Sequence, residues 1–247
     1  MERKKYLTLI IVLLVGSMSI YASNKSEIYK AYISSDMNRW KKTIDEMNRQ
    51  QSKNNDFRLE LLNYQYGYIA WCIGNKKYGV AESYIELGEK NIQVLEKTSA
   101  YISQVNAYKS AFYGYRIGLN KLKAPFIGPK SVECAKLAIK QDVNNPYGYI
   151  QYANSQFYMP PVFGGSKKMA LVYYTKAKNL MERNQHKNTE DWNYLSLLTM
   201  IVKSYSELKD WNNAKSQCEK ILKLEPDYLW VKKELYPEIL KKIKQTI

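Results

Sequence analysis

The chain has 247 residues, 45% of them apolar, with 38 basic against 23 acidic side chains and a formal net charge of +15. Three cysteines and one histidine are too few and too scattered for a disulfide scaffold or a Cys/His metal cluster, so no metal and no cofactor is expected. The length hides about two thirds or more of the unfolded surface, enough for independent folding.

The amino terminus, MERKKYLTLIIVLLVGSMSIYA, has the anatomy of an export signal: basic Arg3, Lys4 and Lys5, an apolar run from Leu7 to Val15, and a small, polar stretch ending at Ala22. The run is shorter than the roughly 20 residues a spanning helix needs. The expectation is therefore cleavage after Ala22 and a mature chain, periplasmic or secreted, that is not an integral membrane protein. The first cysteine is Cys72, which excludes a lipoprotein signal with an acylated cysteine. The mature chain keeps 35 basic against 22 acidic residues, a net +13. Export makes acidic protein surfaces better partners for that charge than nucleic acid.

Past the signal, helical spacing dominates. Arg39-Trp40-Lys41-Lys42-Thr43 echoes Asp210-Trp211-Asn212-Asn213-Ala214, with Thr43 and Met47 standing where Ala214 and Cys218 stand. A helix is predicted from about Phe57 to Ile73, with Gly74 supplying a left-handed cap, and its partner carries Ala81, Ile85 and Gly88. Pro125-Phe126-Ile127-Gly128-Pro129 is then answered, 36 residues on, by Pro161-Val162-Phe163-Gly164-Gly165. Each copy introduces a helix, predicted over Ser131–Lys140 and Ser166–Met181. The polar run 182–190 reads as a solvated connection that includes His186. Leu195, Leu198, Ile201, Val202 and Tyr205 follow at the spacing of a buried helix face, answered by Ala214, Cys218, Ile221 and Leu222 before Pro226. Residues 227–247 read as a polar capping helix capped by Asp227 and interrupted by Pro237.

The unit from Leu195 to Pro226 resembles the tetratricopeptide repeat, whose period is about 34 residues. The resemblance implies an all-α, right-handed α-solenoid of about five helix-turn-helix pairs over residues 23–247. The phrase Pro161 to Ser166, followed by Ala170, resembles the Gly-Gly turn of exported bacterial repeat proteins. These include the T component of TRAP-type solute transporters, and the match runs from about Asn145 to Glu182.

No G-x-S-x-G, H-E-x-x-H or cysteine–histidine pair occurs, so no enzyme activity is expected. Hydrolysis by two paired carboxylates would need one raised pKa across a groove, which spacing alone does not reveal. The distinctive feature is 23 tyrosines against 5 phenylalanines, a preference that suits half-buried binding faces. Tyr64, Tyr68 and Trp71, then Tyr108, Phe112 and Tyr115, recur at i, i+4 and i+7, Tyr147, Ile150 and Asn154 continue the set, and Lys109 and Lys203 would meet acidic groups of a partner. They define a candidate concave, aromatic, basic groove for a protein or peptide segment. The same rings also suit packing between helices, and a register shift of one residue exchanges the two readings. The alternative is a small-solute-binding accessory of an envelope transport system.

Overall fold

The computed structural model describes residues 24–183 and 190–245. The expected export signal and the expected solvent-exposed His186 lie outside the described residues. Among the described residues the chain is all-helical, with no strand. Helix α1 covers 24–33, α2 Met37–Arg49, α3 Asn55–Gly74 and α4 Tyr78–Leu95. Then come α5 Ile102–Leu119, α6 Ala124–Gln141, α7 Pro146–Tyr158 and α8 Lys167–Glu182. The set ends with α9 Trp192–Glu207, α10 Trp211–Leu224 and α11 Tyr236–Lys244. Each helix from α2 to α10 packs most closely on a chain neighbour, and α3, α5 and α7 also touch in series. None is long and apolar enough to cross a membrane.

Three of the helix-to-helix turns share one construction. Ser35, Lys76 and Lys209 take φ of 58°, 58° and 57°. The next amide in each case reaches back five residues: Asp36 to Ala31 at 2.9 Å, Lys77 to Cys72 at 2.8 Å and Asp210 to Tyr205 at 2.9 Å. That closure fixes the left-handed residue by bond count. It moves the expected left-handed cap from Gly74, which stays helical, to Lys76. Asp36 and Asp210 then cap the following helices by accepting from the amides of Arg39 and Asn213.

The turns after α5 and α7 are different and longer. Residues 124–130, read from sequence as a lead-in, form the first turns of α6, which runs 7 residues ahead of its first buried side chain, Ser131. Pro125 permits this because its missing N–H falls in the first turn, where no helical acceptor exists. The second copy is instead a 3-10 turn, Pro161–Phe163, closed by Gly164 at φ 91°. A Cβ on Gly165 would sit 1.9 Å from the Met159 carbonyl oxygen, so only glycine fits there. The sequence duplication is thus not a structural one.

The residues expected at helix contacts are all buried: Thr43, Met47, Ala81, Ile85, Gly88, Ala135, Ala138, Ala170, Ala177, Ala214 and Cys218. Two apolar clusters result, one around α1–α5 and one around α7–α11, and Tyr29 and Tyr32 of α1 pack against both. Near the end, Pro237 follows a π turn at Val231–Leu235 rather than breaking a helix, the wider turn accommodating the proline ring.

Candidate functional site

The structure divides the aromatic residues that the sequence grouped together. Tyr68 and Trp71 stack at 5.6 Å on the α4 side of α3, where Tyr68 meets Tyr84 edge-on at 5.0 Å and the Lys77 ammonium lies 4.6 Å from the Trp71 ring centre. Phe112 is also buried there, so close to Gly88 that a Cβ on the glycine would stand 2.4 Å from its ring. Lys203 is apart from both groups, 5.1 Å over the Trp230 ring, and burial pushes its pKa down. Tyr64, Tyr108, Tyr115 and Asn154 face the molecule's interior, together with residues the sequence reading did not select.

That interior is filled by the chain itself. Trp192 at the start of α9 lies 5.0 Å from Trp40, 5.7 Å from Tyr32 and 6.1 Å from Tyr66. Tyr66 continues to Tyr108 at 5.9 Å and to Tyr115 at 5.7 Å, and Tyr108 to Tyr147 at 6.1 Å. The polar atoms of Trp40, Trp192, Tyr66, Tyr108 and Tyr115 are paired, as an enclosed setting requires. Asn63 Oδ1 accepts from the Trp192 indole at 3.0 Å and from Asn193 Nδ2 at 3.1 Å, while Asn63 Nδ2 donates to the Tyr108 hydroxyl at 2.8 Å. Tyr115 donates to the Tyr66 carbonyl at 2.9 Å, and Asn154 accepts from Tyr174 at 2.6 Å.

One mouth of the interior remains open as a cleft of about 360 Å³. Tyr64, Tyr108, Tyr147 and Trp192 give it aromatic walls, and Asp56, Glu60, Glu190 and Asp191 line it with carboxylates against the single lysine Lys25. The cleft is acidic, opposite to the basic groove expected from composition. Burial holds the Glu60 and Asp191 carboxyls above the ordinary carboxylate range, against the lowering effect of the Tyr64 hydroxyl on Glu60 and of Asn193 on Asp191. A carboxyl that binds its proton more tightly in the folded chain stabilises the fold below its unfolded pKa and loses that contribution as pH rises through the folded value. Glu60→Gln keeps an acceptor for Tyr64, which donates to Glu60 at 2.7 Å. The variant is expected to melt higher than the parent at pH 7, with the difference vanishing below the carboxylate range. Melting followed by circular dichroism at several pH values checks this, and a lower midpoint at pH 7 would contradict it.

The second unusual surface is the edge formed by the elaborated turns. Leu122, Phe126, Tyr158, Val162 and Phe163 are 82%, 76%, 67%, 85% and 74% exposed, far more than isolated surface apolar residues need explain. The two turns follow the ends of neighbouring helices α5 and α7, where burial and the neighbouring Tyr66 and Tyr158 phenols push the Tyr115 phenol well above its ordinary range. Segments 117–132 and 143–181 contain no Asp or Glu, but do contain Lys121, Lys123, Lys130, Lys167 and Lys168. Lys167 is tied down, bonding the Phe157 carbonyl and lying 3.8 Å from Glu207.

No protein-family model matches the chain, and no curated protein is similar to it. Its fold resembles that of a haemophore. The solved structure is the HusA haemophore from Porphyromonas gingivalis, which superposes with a TM-score of 0.61 at 18% identity over 76% of this chain and 94% of that one. At that identity the likeness speaks to the helical fold alone.

Sequence spacing selected Tyr147 but missed Tyr32, Tyr66 and Trp192 as wall residues, because the inner face of α3 runs through Asn63, Tyr66 and Gly67, a register shifted from the Tyr64–Tyr68–Trp71 stripe. The signal that marks this face is Gly67 itself. A Cβ there would lie 2.6 Å from Trp192 and 2.7 Å from Trp40, so a glycine inside a helix records where two large rings close upon the backbone.

Proposed function

We propose that the chain is an exported, noncatalytic binding protein built from tetratricopeptide-like helix pairs, and that its cargo is a planar apolar dianion of the tetrapyrrole class. The observation that carries this reading is the paired apolar turns around Phe126 and Phe163, which lie in lysine-bearing segments without a carboxylate. Repeat proteins place their insertions on one face, often the binding face, and here two adjacent units depart together from the tight turn of the others. Exposed rings suit the faces of a macrocycle, and lysines suit its carboxylates. The haem-carrying function named for the structural neighbour supports the same cargo class. The filled interior favours this small-ligand reading over capture of an extended peptide.

Absorbance titration of the chain beginning at Ser23 with haemin tests it. Contacts through rings and lysines do not involve the iron, so iron-free protoporphyrin is expected to bind within a few-fold of haemin. Absence of saturable binding by both would remove the tetrapyrrole assignment.

A further inference from the structure

The acidic cleft carries chemistry that an apolar dianion does not use. Its carboxylates come from two places: Asp56 and Glu60 from the first turns of α3, and Glu190 and Asp191 from the residues just before α9. They converge in a chain whose formal net charge is +15, so the local charge runs against the bulk. Of the four, Asp56 and Glu190 are exposed, whereas Glu60 and Asp191 are half-buried and lose hydration, which a cation entering between them restores. Behind them stand the rings of Tyr64, Tyr108, Tyr147 and Trp192.

The hydrogen bonding separates structural from available groups. Asn63 is saturated by Trp192, Asn193 and Tyr108, and the Tyr64 hydroxyl is committed to Glu60. The Tyr147 hydroxyl, by contrast, has no hydrogen-bond partner among the described residues, although burial and the nearby Asp191 charge push its pKa well above the ordinary phenol range. It lines the cleft beside Asp191 as an acceptor without a donor. Aromatic faces, carboxylates and a spare phenol oxygen in a volume of about 360 Å³ form a set that recognises a positively charged nitrogen.

We propose that this cleft binds the ammonium or guanidinium head of a small organic cation. Lys25 of α1 also lines it, and its charge lowers the pKa of both Glu60 and Asp191. An entering cation therefore meets three net negative charges among the lining side chains rather than four. The site is separate from the apolar turns, and either assignment stands if the other fails.

The probe is 1,5-diaminopentane, titrated into the full mature chain while the indole N–H resonances are followed. The expected result is a saturable shift of the Trp192 resonance with a dissociation constant of about 1 mM or tighter. Glu60→Gln and Tyr147→Phe are each expected to weaken binding by about tenfold with the fold retained, and 1,5-pentanediol, of the same length without charge, is expected not to bind. The Phe126→Ser, Phe163→Ser double variant is expected to bind the diamine like the parent, which separates this site from the tetrapyrrole surface. No saturable shift at Trp192, equal binding of the diol, or unchanged affinity in Glu60→Gln would each overturn the proposal.

Discussion

Trp192→Ala is expected to lower the stability of the chain by about 3–5 kcal/mol, the usual cost of emptying a buried indole site. Trp192 is 5% exposed and meets Trp40, Tyr32 and Tyr66, which belong to helices far from it in sequence. Its removal also leaves Asn63 Oδ1 with one donor fewer in an enclosed setting, a further loss of the kind expected when a buried acceptor is stranded. The indole is therefore a main tie between α9 and the α1–α3 end of the molecule. Urea denaturation measures the effect. Trp192→Phe, which keeps a ring and loses the donor, is expected to fall between parent and alanine variant. A cost below about 1 kcal/mol for alanine, the level of an ordinary surface change, would mean that the two ends are held together by other contacts.

The double variant Phe126→Ser, Phe163→Ser is expected to lose at least about 100-fold in haemin affinity. Burying each ring against a macrocycle is worth about 1.5–3 kcal/mol, and every 1.4 kcal/mol is tenfold. Both side chains are about three-quarters exposed in the free protein, 76% and 74%, so their removal leaves no cavity and the melting temperature is expected to stay within a degree or two. That combination separates a binding defect from a folding defect. Haemin titration alongside thermal melting reads both, and parental affinity in the double variant would place the cargo elsewhere.

The helical class and much of the helix pairing were legible because repeat packing depends on small side chains at fixed spacing. Ala214 and Cys218 mark the α9–α10 contact as plainly in the sequence as in the structure, and Thr43 and Met47 mark the first. The cap at Lys76 was not legible. Glycine is the usual left-handed residue, whereas here the five-residue closure from Lys77 to Cys72 decides the position and a lysine accepts the strain. The inner wall was missed for a different reason. Tyrosines occur on both faces of α3 and α5, so periodicity alone does not say which face meets α9, and the contact between Gly67 and Trp192 spans 125 residues of sequence. Charge misled in the same way. A chain with a large basic excess still gathers Asp56, Glu60, Glu190 and Asp191 at one mouth, because the fold brings the start of α3 against the start of α9.

The exposed turns were visible in the sequence as a repeated Pro-and-Phe phrase, and their meaning came only from comparison with the tight turns at Ser35, Lys76 and Lys209. Three units close in three residues and two adjacent ones do not, which turns a loose sequence echo into a localised surface.

The most direct measurement is amide chemical-shift mapping of the mature chain with iron-free protoporphyrin, which avoids paramagnetic broadening. The largest changes are expected at Leu122, Phe126, Val162 and Phe163, with Asn63 and Asn193 of the cleft unmoved. Changes centred on the cleft, or spread evenly over the surface, would contradict the tetrapyrrole assignment.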